Sequence, residues 1–200
     1  GLLAAARADQ GSVTALTAEL VQIPSRGGID PYKPVLEHLR GWMVGRGLGI
    51  RQLFDPGTAA VGLVCELPGG TEGPWLVLDA CVDTAPFGDE QAWTYPPTGA
   101  VIKDGWLWGR GAADSKAGVA IFCHLLARLA PGMHERRGGV ALLLDADEHT
   151  GAFGGARAYF AGPDARKCIA GVMIGYPGMG HLVVGGRGVL RVRIQVHGVA

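Results

Sequence analysis

The sequence predicts an α/β fold, a mainly parallel sheet with helices on both faces, followed by the start of a second, smaller α+β domain. Three observations predict it. Apolar runs at Trp75–Leu78, Val140–Leu144 and Ile169–Ile174 lie between segments of helical period, the pattern of a sheet covered on both sides. Two of these runs empty into Asp79-Ala-Cys-Val-Asp83 and Asp145-Ala-Asp-Glu-His-Thr-Gly151, and the stretch Trp106–Gly118 places Asp114 at a glycine-framed loop-to-helix junction. Ligands gather at strand ends of this kind in open α/β sheets, so one shared site is expected. Finally, Leu190, Val192, Ile194 and Val196 alternate with Arg191, Arg193, Gln195 and His197, the mark of a half-buried strand in another sheet. The boundary is set near Gly185-Gly186, dividing the chain into residues 1–185 and 186–200.

The elements follow in order. The N-terminal GLLAAARADQG has an apolar patch with no basic region before it, so it reads as a frayed helix and not a signal peptide. Ser12 is expected to cap a first helix carrying Val13, Leu16, Leu20 and Val21, stopped by Pro24. Asp30-Pro31 is expected to start a second, with Pro at its first position. Tyr32, Val35, Leu36, Leu39, Trp42 and Met43 recur there at helical spacing, and Gly45 and Gly47 can end it. Strands are expected at 51–54, 60–67 and 75–80, with Pro68-Gly69-Gly70 as a turn. Asp104-Gly105 between Val101–Lys103 and Trp106–Trp108 signals a hairpin. A helix over 115–129, a strand over 140–144, a short helix near 155–160 and a strand over 169–174 complete the series.

Composition narrows the function classes. Acidic and basic residues balance at 18 each, without the basic footprint of a nucleic-acid binder. The apolar runs are far shorter than a membrane span. Cys65, Cys81, Cys123 and Cys168 are scattered without a C-x-x-C pair, which fits a reducing, cytoplasmic setting and no disulfide framework. The chain has 34 glycines, and those at 151, 154 and 155 suggest a phosphate loop but lack its Lys-Ser/Thr. Trp93, Trp106 and Trp108 read as packing residues, His124 as a core or helix-face residue, and His38, His134 and His181 as surface residues.

The order IPS (Ile23–Ser25), DACVD (79–83), GRGAADSKAG (109–118), DADEHTGAFGGA (145–156), GYP (175–177) and GGRG (185–188) resembles the zinc-dependent metallopeptidase family of aminoacylase, acetylornithine deacetylase, succinyl-diaminopimelate desuccinylase and carboxypeptidase G. GRGxxDxK is the most specific part. The resemblance implies a two-domain α/β hydrolase with a co-catalytic metal pair and a smaller lid domain that often dimerises. It implies a small acylated amino acid or peptide-like substrate. The chain would cover roughly the first half of that plan and stop just inside the lid, before the family's last metal-binding His.

The ligand positions depart from the family pattern. Where the family has His-x-Asp, this chain has Cys81-Val82-Asp83. Asp114 matches the bridging carboxylate. Of the family's Glu-Glu pair, the general base is kept as Glu148 and the metal ligand has become His149. Tyr176 stands where the family has Glu or Asp. With Cys81 as thiolate, the set Cys81, Asp114, His149 and Tyr176 supplies two negative charges, too few to hold two dications well. Cys, Asp and His suit zinc, and a thiolate disfavours Mg or Ca. One zinc or none is therefore expected, on Asp114 with Cys81 or His149. In the family, the residue matching Asp83 orients the neighbouring His, a partner this chain lacks.

Taken one at a time, these residues also have ordinary readings. Asp114 could be a helix cap, Cys81 a small buried hydrophobe, and Glu148 and His149 members of a polar loop. Three functions stay open, in this order. The first is an amide or peptide hydrolase with an altered metal site and Glu148 as base. The second is a pseudo-enzyme acting as a binding or assembly subunit. The third is metal-free acyl chemistry with Cys81 as nucleophile and His149 as base.

Overall fold

The computed structural model describes residues 1–162, 168–176, 195 and 198. The elements are α1 (Leu2–Gln22), α2 (Lys33–Val44), β1 (Arg51–Phe54), β2 (Ala60–Pro68), β3 (Thr71–Cys81), β4 (Val101–Lys103), β5 (Trp106–Trp108), α3 (Ala117–Leu129), β6 (Arg137–Asp145), α4 (Gly154–Phe160) and β7 (Ile169–Ile174). β4 and β5 form the expected hairpin. The other strands form one sheet in the order β1-β2-β6-β3-β7. β2 is antiparallel to both β1 and β6, while β3 is parallel to both β6 and β7. Four of these five strands therefore run one way, with β2 reversed.

Strand alternation sends successive side chains to opposite faces. Leu63, Cys65, Leu78, Ala80, Leu142 and Leu144 pack on one face against Leu16 and Leu20 of α1, Leu36 and Leu39 of α2, and Phe122 and Leu126 of α3. Val61, Val64, Val77, Ala141 and Leu143 pack on the other face with Tyr159 of α4. Helices thus cover both faces. Because β3 and β6 are parallel, Cys81 and Asp145 end them side by side, which brings two of the polar clusters to one sheet edge.

Two helix starts differ from expectation. α1 begins at Leu2 and runs through Gly11 and Ser12. Ser12 does not cap it, because its hydroxyl donates back to the Asp9 carbonyl. Asp30 does not open α2, because its carboxylate is taken by the backbone and guanidinium of Arg26. Tyr32 is the cap and Pro34 lies in the first turn. Pro24 does end α1, whose next residue, Ile23, is already extended. The alternating segment 190–196 and the boundary near Gly185 lie outside the described residues. Among the described residues, no helix is long and apolar enough to cross a membrane.

Candidate metal and catalytic site

Three segments converge at the carboxyl ends of β3 and β6. The IPS segment is stitched to the loop after β3. Ser25, fully buried, donates its hydroxyl to the Val82 carbonyl, the Thr84 N–H donates to Ser25 O, and the Gly27 N–H donates to Thr84 O. The GRG segment turns through Gly111 at φ +81°, where a Cβ would lie 2.5 Å from Thr84 Cγ2. Only glycine meets both demands there. Residues 112–116 form a kinked turn that leads into α3. Its Lys116 is buried and donates to the Leu20 and Ile23 carbonyls at 2.8 Å each. That ammonium caps the carbonyls at the end of α1, adding to the Ile23 N–H on Leu20 O, and fixes the Asp114 turn against it. Burial pulls the Lys116 ammonium down to about 8.

The expected site residues meet around one imidazole. Asp83 is fully buried and accepts the Glu148 and His149 N–H groups at 3.2 and 3.0 Å. Burial raises its carboxyl, opposed by these two bonds. The His149 Nδ1 lies 3.1 Å from Glu148 Oε2 and 3.5 Å from Asp83 Oδ2, and its Nε2 lies 3.5 Å from Asp114 Oδ2. Nδ1 is buried and has hydrogen-bond geometry to neither neighbour. Cys81 Sγ lies 3.2 Å from Ser115 Oγ, which in turn donates to the Cys81 carbonyl at 3.0 Å. Burial pushes the Cys81 thiol up to about 12. Tyr176 is exposed, and the charge of the nearby Asp114 carboxylate raises its phenol.

Cys81, Glu148 and His149 each offer a ligand atom, and these atoms lie within 4.8 Å of one another. The trio carries one thiol, one carboxylate and one imidazole, a donor set suited to a single zinc. The unpartnered Nδ1 is an open lone pair or proton on that set. Asp114 Oδ2 lies 3.5 Å from the other ring nitrogen of His149, Nε2.

Two carboxylates went unassigned in the sequence. Asp79 and Asp145 line a cavity of about 190 Å³ with Cys81, Asp114, Ser115, Glu148, Phe153, Ala156, Ile174 and Tyr176. Burial raises Asp79 to about 6 and, together with the nearby Asp79 and Asp83 carboxylates, raises Asp145 to about 8. The available signal was an acid interrupting or ending an otherwise apolar strand, as in WLVLDAC and VALLLD.

The model of peptidase family M20/M25/M40 matches residues 78–196. A succinyl-diaminopimelate desuccinylase of Rhodospirillum centenum is 33% identical over 198 residues, covering 92% of this chain and 49% of that protein. The enzyme of the same name from Psychromonas ingrahamii is 30% identical over 188 residues, covering 83% of this chain and 50% of that protein. The chain thus spans about half the length of these curated relatives. A crystal structure of an M20 family metallo-carboxypeptidase from Sulfolobus solfataricus superposes with TM-score 0.67 at 18% identity, covering 79% of this chain and 36% of that one. A dinuclear metal binding peptidase of the M20 family from Bacillus subtilis superposes with TM-score 0.60 at 19% identity, covering 84% and 43%. These two likenesses speak to the fold.

Proposed function

Because the chain belongs to peptidase family M20/M25/M40, we propose that it forms the metal-binding part of an amide or peptide hydrolase that works with one zinc. The observation that carries the reading is the trio Cys81, Glu148 and His149 within 4.8 Å. Cys81 and His149 would hold the ion, and the Glu148 carboxylate lies within 4.8 Å of both. A bound zinc supplies Lewis-acid polarisation of the scissile carbonyl and lowers the pKa of water at the site. Glu148 takes the proton of the attacking water and returns it to the leaving amine. Asp114 faces the second ring nitrogen of His149, and Asp83 holds the Glu148–His149 backbone in place. Such carboxylates set the ring and its basicity from behind.

Acylated amino acids or small peptides are the substrate class. A reducing cytoplasmic location and a dimer through a lid domain complete the proposal.

The test is hydrolysis of a panel of N-acyl amino acids and dipeptides by the zinc-loaded protein and by its Glu148→Gln variant. Zinc-dependent turnover should fall by about 10²–10⁴-fold in the variant, the range of a lost general base. No turnover, or turnover unaffected by zinc removal, returns the protein to the pseudo-enzyme or thiol readings.

A further inference from the structure

One short segment, between α1 and α2, touches both strand-end loops. Along the loop after β3, Ser25 donates to the Val82 carbonyl, and the Gly27 N–H donates to Thr84 O. The Arg26 guanidinium, paired with Asp30, lies 4.3 Å from the Phe87 ring centre. The same segment is pressed on the loop after β6. A Cβ on Gly27 would lie 3.2 Å from His149 Cβ and 3.3 Å from Thr150 Cγ2. Tyr32, at the start of α2, adds a hydrogen bond to that second loop. Its ring packs against the core. Its hydroxyl accepts the Gly28 N–H at 3.3 Å and donates to Asp147 Oδ1 at 3.2 Å. Burial pushes the phenol up to about 12, so it remains a donor across the neutral range.

The second loop turns on Asp147. Its φ is +75°, a left-handed conformation that a residue other than glycine keeps only where its surroundings over-determine it. Its carbonyl accepts the Phe153 N–H at 2.9 Å, which closes the loop. Its Oδ1 accepts the Thr150 hydroxyl at 2.6 Å, and Thr150 Oγ1 accepts the Ala152 N–H at 3.1 Å. Among the described residues, Tyr32 is the one hydrogen-bond donor to that carboxylate from outside the loop. Glu148 and His149 follow directly, so the direction of the chain at 147 decides where both side chains point. Asp83 holds their N–H groups, and Tyr32 holds the residue before them.

We propose that Tyr32 is a positioning residue, whose hydroxyl holds the Asp147 carboxylate and so fixes the loop that presents Glu148 and His149. The consequence for zinc rests on the one-zinc reading. The hold on the loop does not, and can be measured without it.

Tyr32→Phe removes the hydroxyl and keeps the packed ring. Amide hydrogen exchange of the whole protein, read on peptides spanning 146–154, should quicken about 2- to 10-fold in this variant, the size of one hydrogen bond. Peptides of α3 should keep the wild-type rate. Zinc affinity, measured by competition against a chelator, should fall by a similar factor. Because Tyr32 acts through Asp147, Tyr32→Phe should add nothing to the losses of Asp147→Ala. A hydroxyl that serves only the fold would quicken exchange throughout and add its loss to that of Asp147→Ala. Wild-type exchange in the loop of Tyr32→Phe, additive losses, or a quickened loop with unchanged zinc affinity overturns the proposal. The exchange of Tyr32→Phe decides even where Asp147→Ala fails to fold. A protein that binds no zinc yet shows the loop response refutes the one-zinc reading alone. One that binds a single zinc without the loop response refutes the role of Tyr32 alone.

Discussion

Asp83 grips His149 at two points, accepting its backbone N–H at 3.0 Å and facing its ring Nδ1 at 3.5 Å. The same carboxylate accepts the Glu148 N–H. One buried acid thus positions both the base and a metal ligand of the proposed site. Asp83→Ala should weaken zinc binding by about 10- to 100-fold, the usual effect of losing an outer partner. Asp83→Asn keeps one acceptor oxygen and should lose less. Competition against a zinc chelator measures both, and wild-type affinity in Asp83→Ala would deny the positioning role.

Asp145 makes stability depend on pH. Its folded value of about 8 lies above the ordinary carboxylate value of about 3.9. The folded chain binds this proton more tightly than the unfolded chain does. The contribution is complete below the unfolded value and is lost as pH rises through the folded one. Asp145→Asn removes the titration, so its melting temperature should gain on the wild type between about pH 4 and pH 8. Each kcal/mol gained is worth roughly 2–4 °C in a chain of this size. Circular dichroism melts across that range check it, and a constant difference would contradict the prediction.

Lys116 holds the end of α1 to the turn that carries Asp114. Lys116→Met leaves the Ile23 carbonyl without this donor and the Leu20 carbonyl with only the Ile23 N–H. The expected loss is roughly 1–3 kcal/mol per orphaned group. Urea unfolding should show a lower midpoint with an unchanged slope.

The close approach of α3 to the end of β7 depends on Gly118. A Cβ there would lie 1.7 Å from the Gly175 carbonyl oxygen. Gly118→Ala must push α3 and the Gly175–Tyr176 segment apart, at a cost of about 1–3 kcal/mol or more. Gly132→Ala is the control, because its Cβ meets no atom within 4 Å. Thermal unfolding of the pair should separate them clearly.

Sequence patterning located the elements well where one rule acted alone. β1, both hairpin strands and β7 have the expected bounds, because turn residues such as Asp55-Pro56-Gly57 and Asp104-Gly105 close them sharply. It failed at Ser12 and Asp30, where a local side-chain bond outcompeted the capping role. β3 starts at Thr71, earlier than expected, with an irregular register before Trp75. Gly73-Pro74 hides that extension from any apolar pattern. The residues of the site were legible as strand-end clusters, but not their geometry. That Glu148 joins Cys81 and His149 depends on how the 145–154 loop folds back, which spacing does not encode. Asp79 and Asp145 are visible as acids within apolar strands, yet their shared cavity follows only from the parallel pairing of β3 and β6 with β7 alongside.

Zinc stoichiometry tests the central claim most directly. Elemental analysis of the protein purified without chelator should give about one tightly held zinc per chain, the single ion that the Cys81 thiolate and the His149 imidazole can hold while Glu148 stays free as the base. Cys81→Ala and His149→Ala should each lose it, and Asp114→Ala should retain it with weakened affinity. Two tightly held zinc ions per chain, or one zinc that survives Cys81→Ala and His149→Ala, would contradict the account.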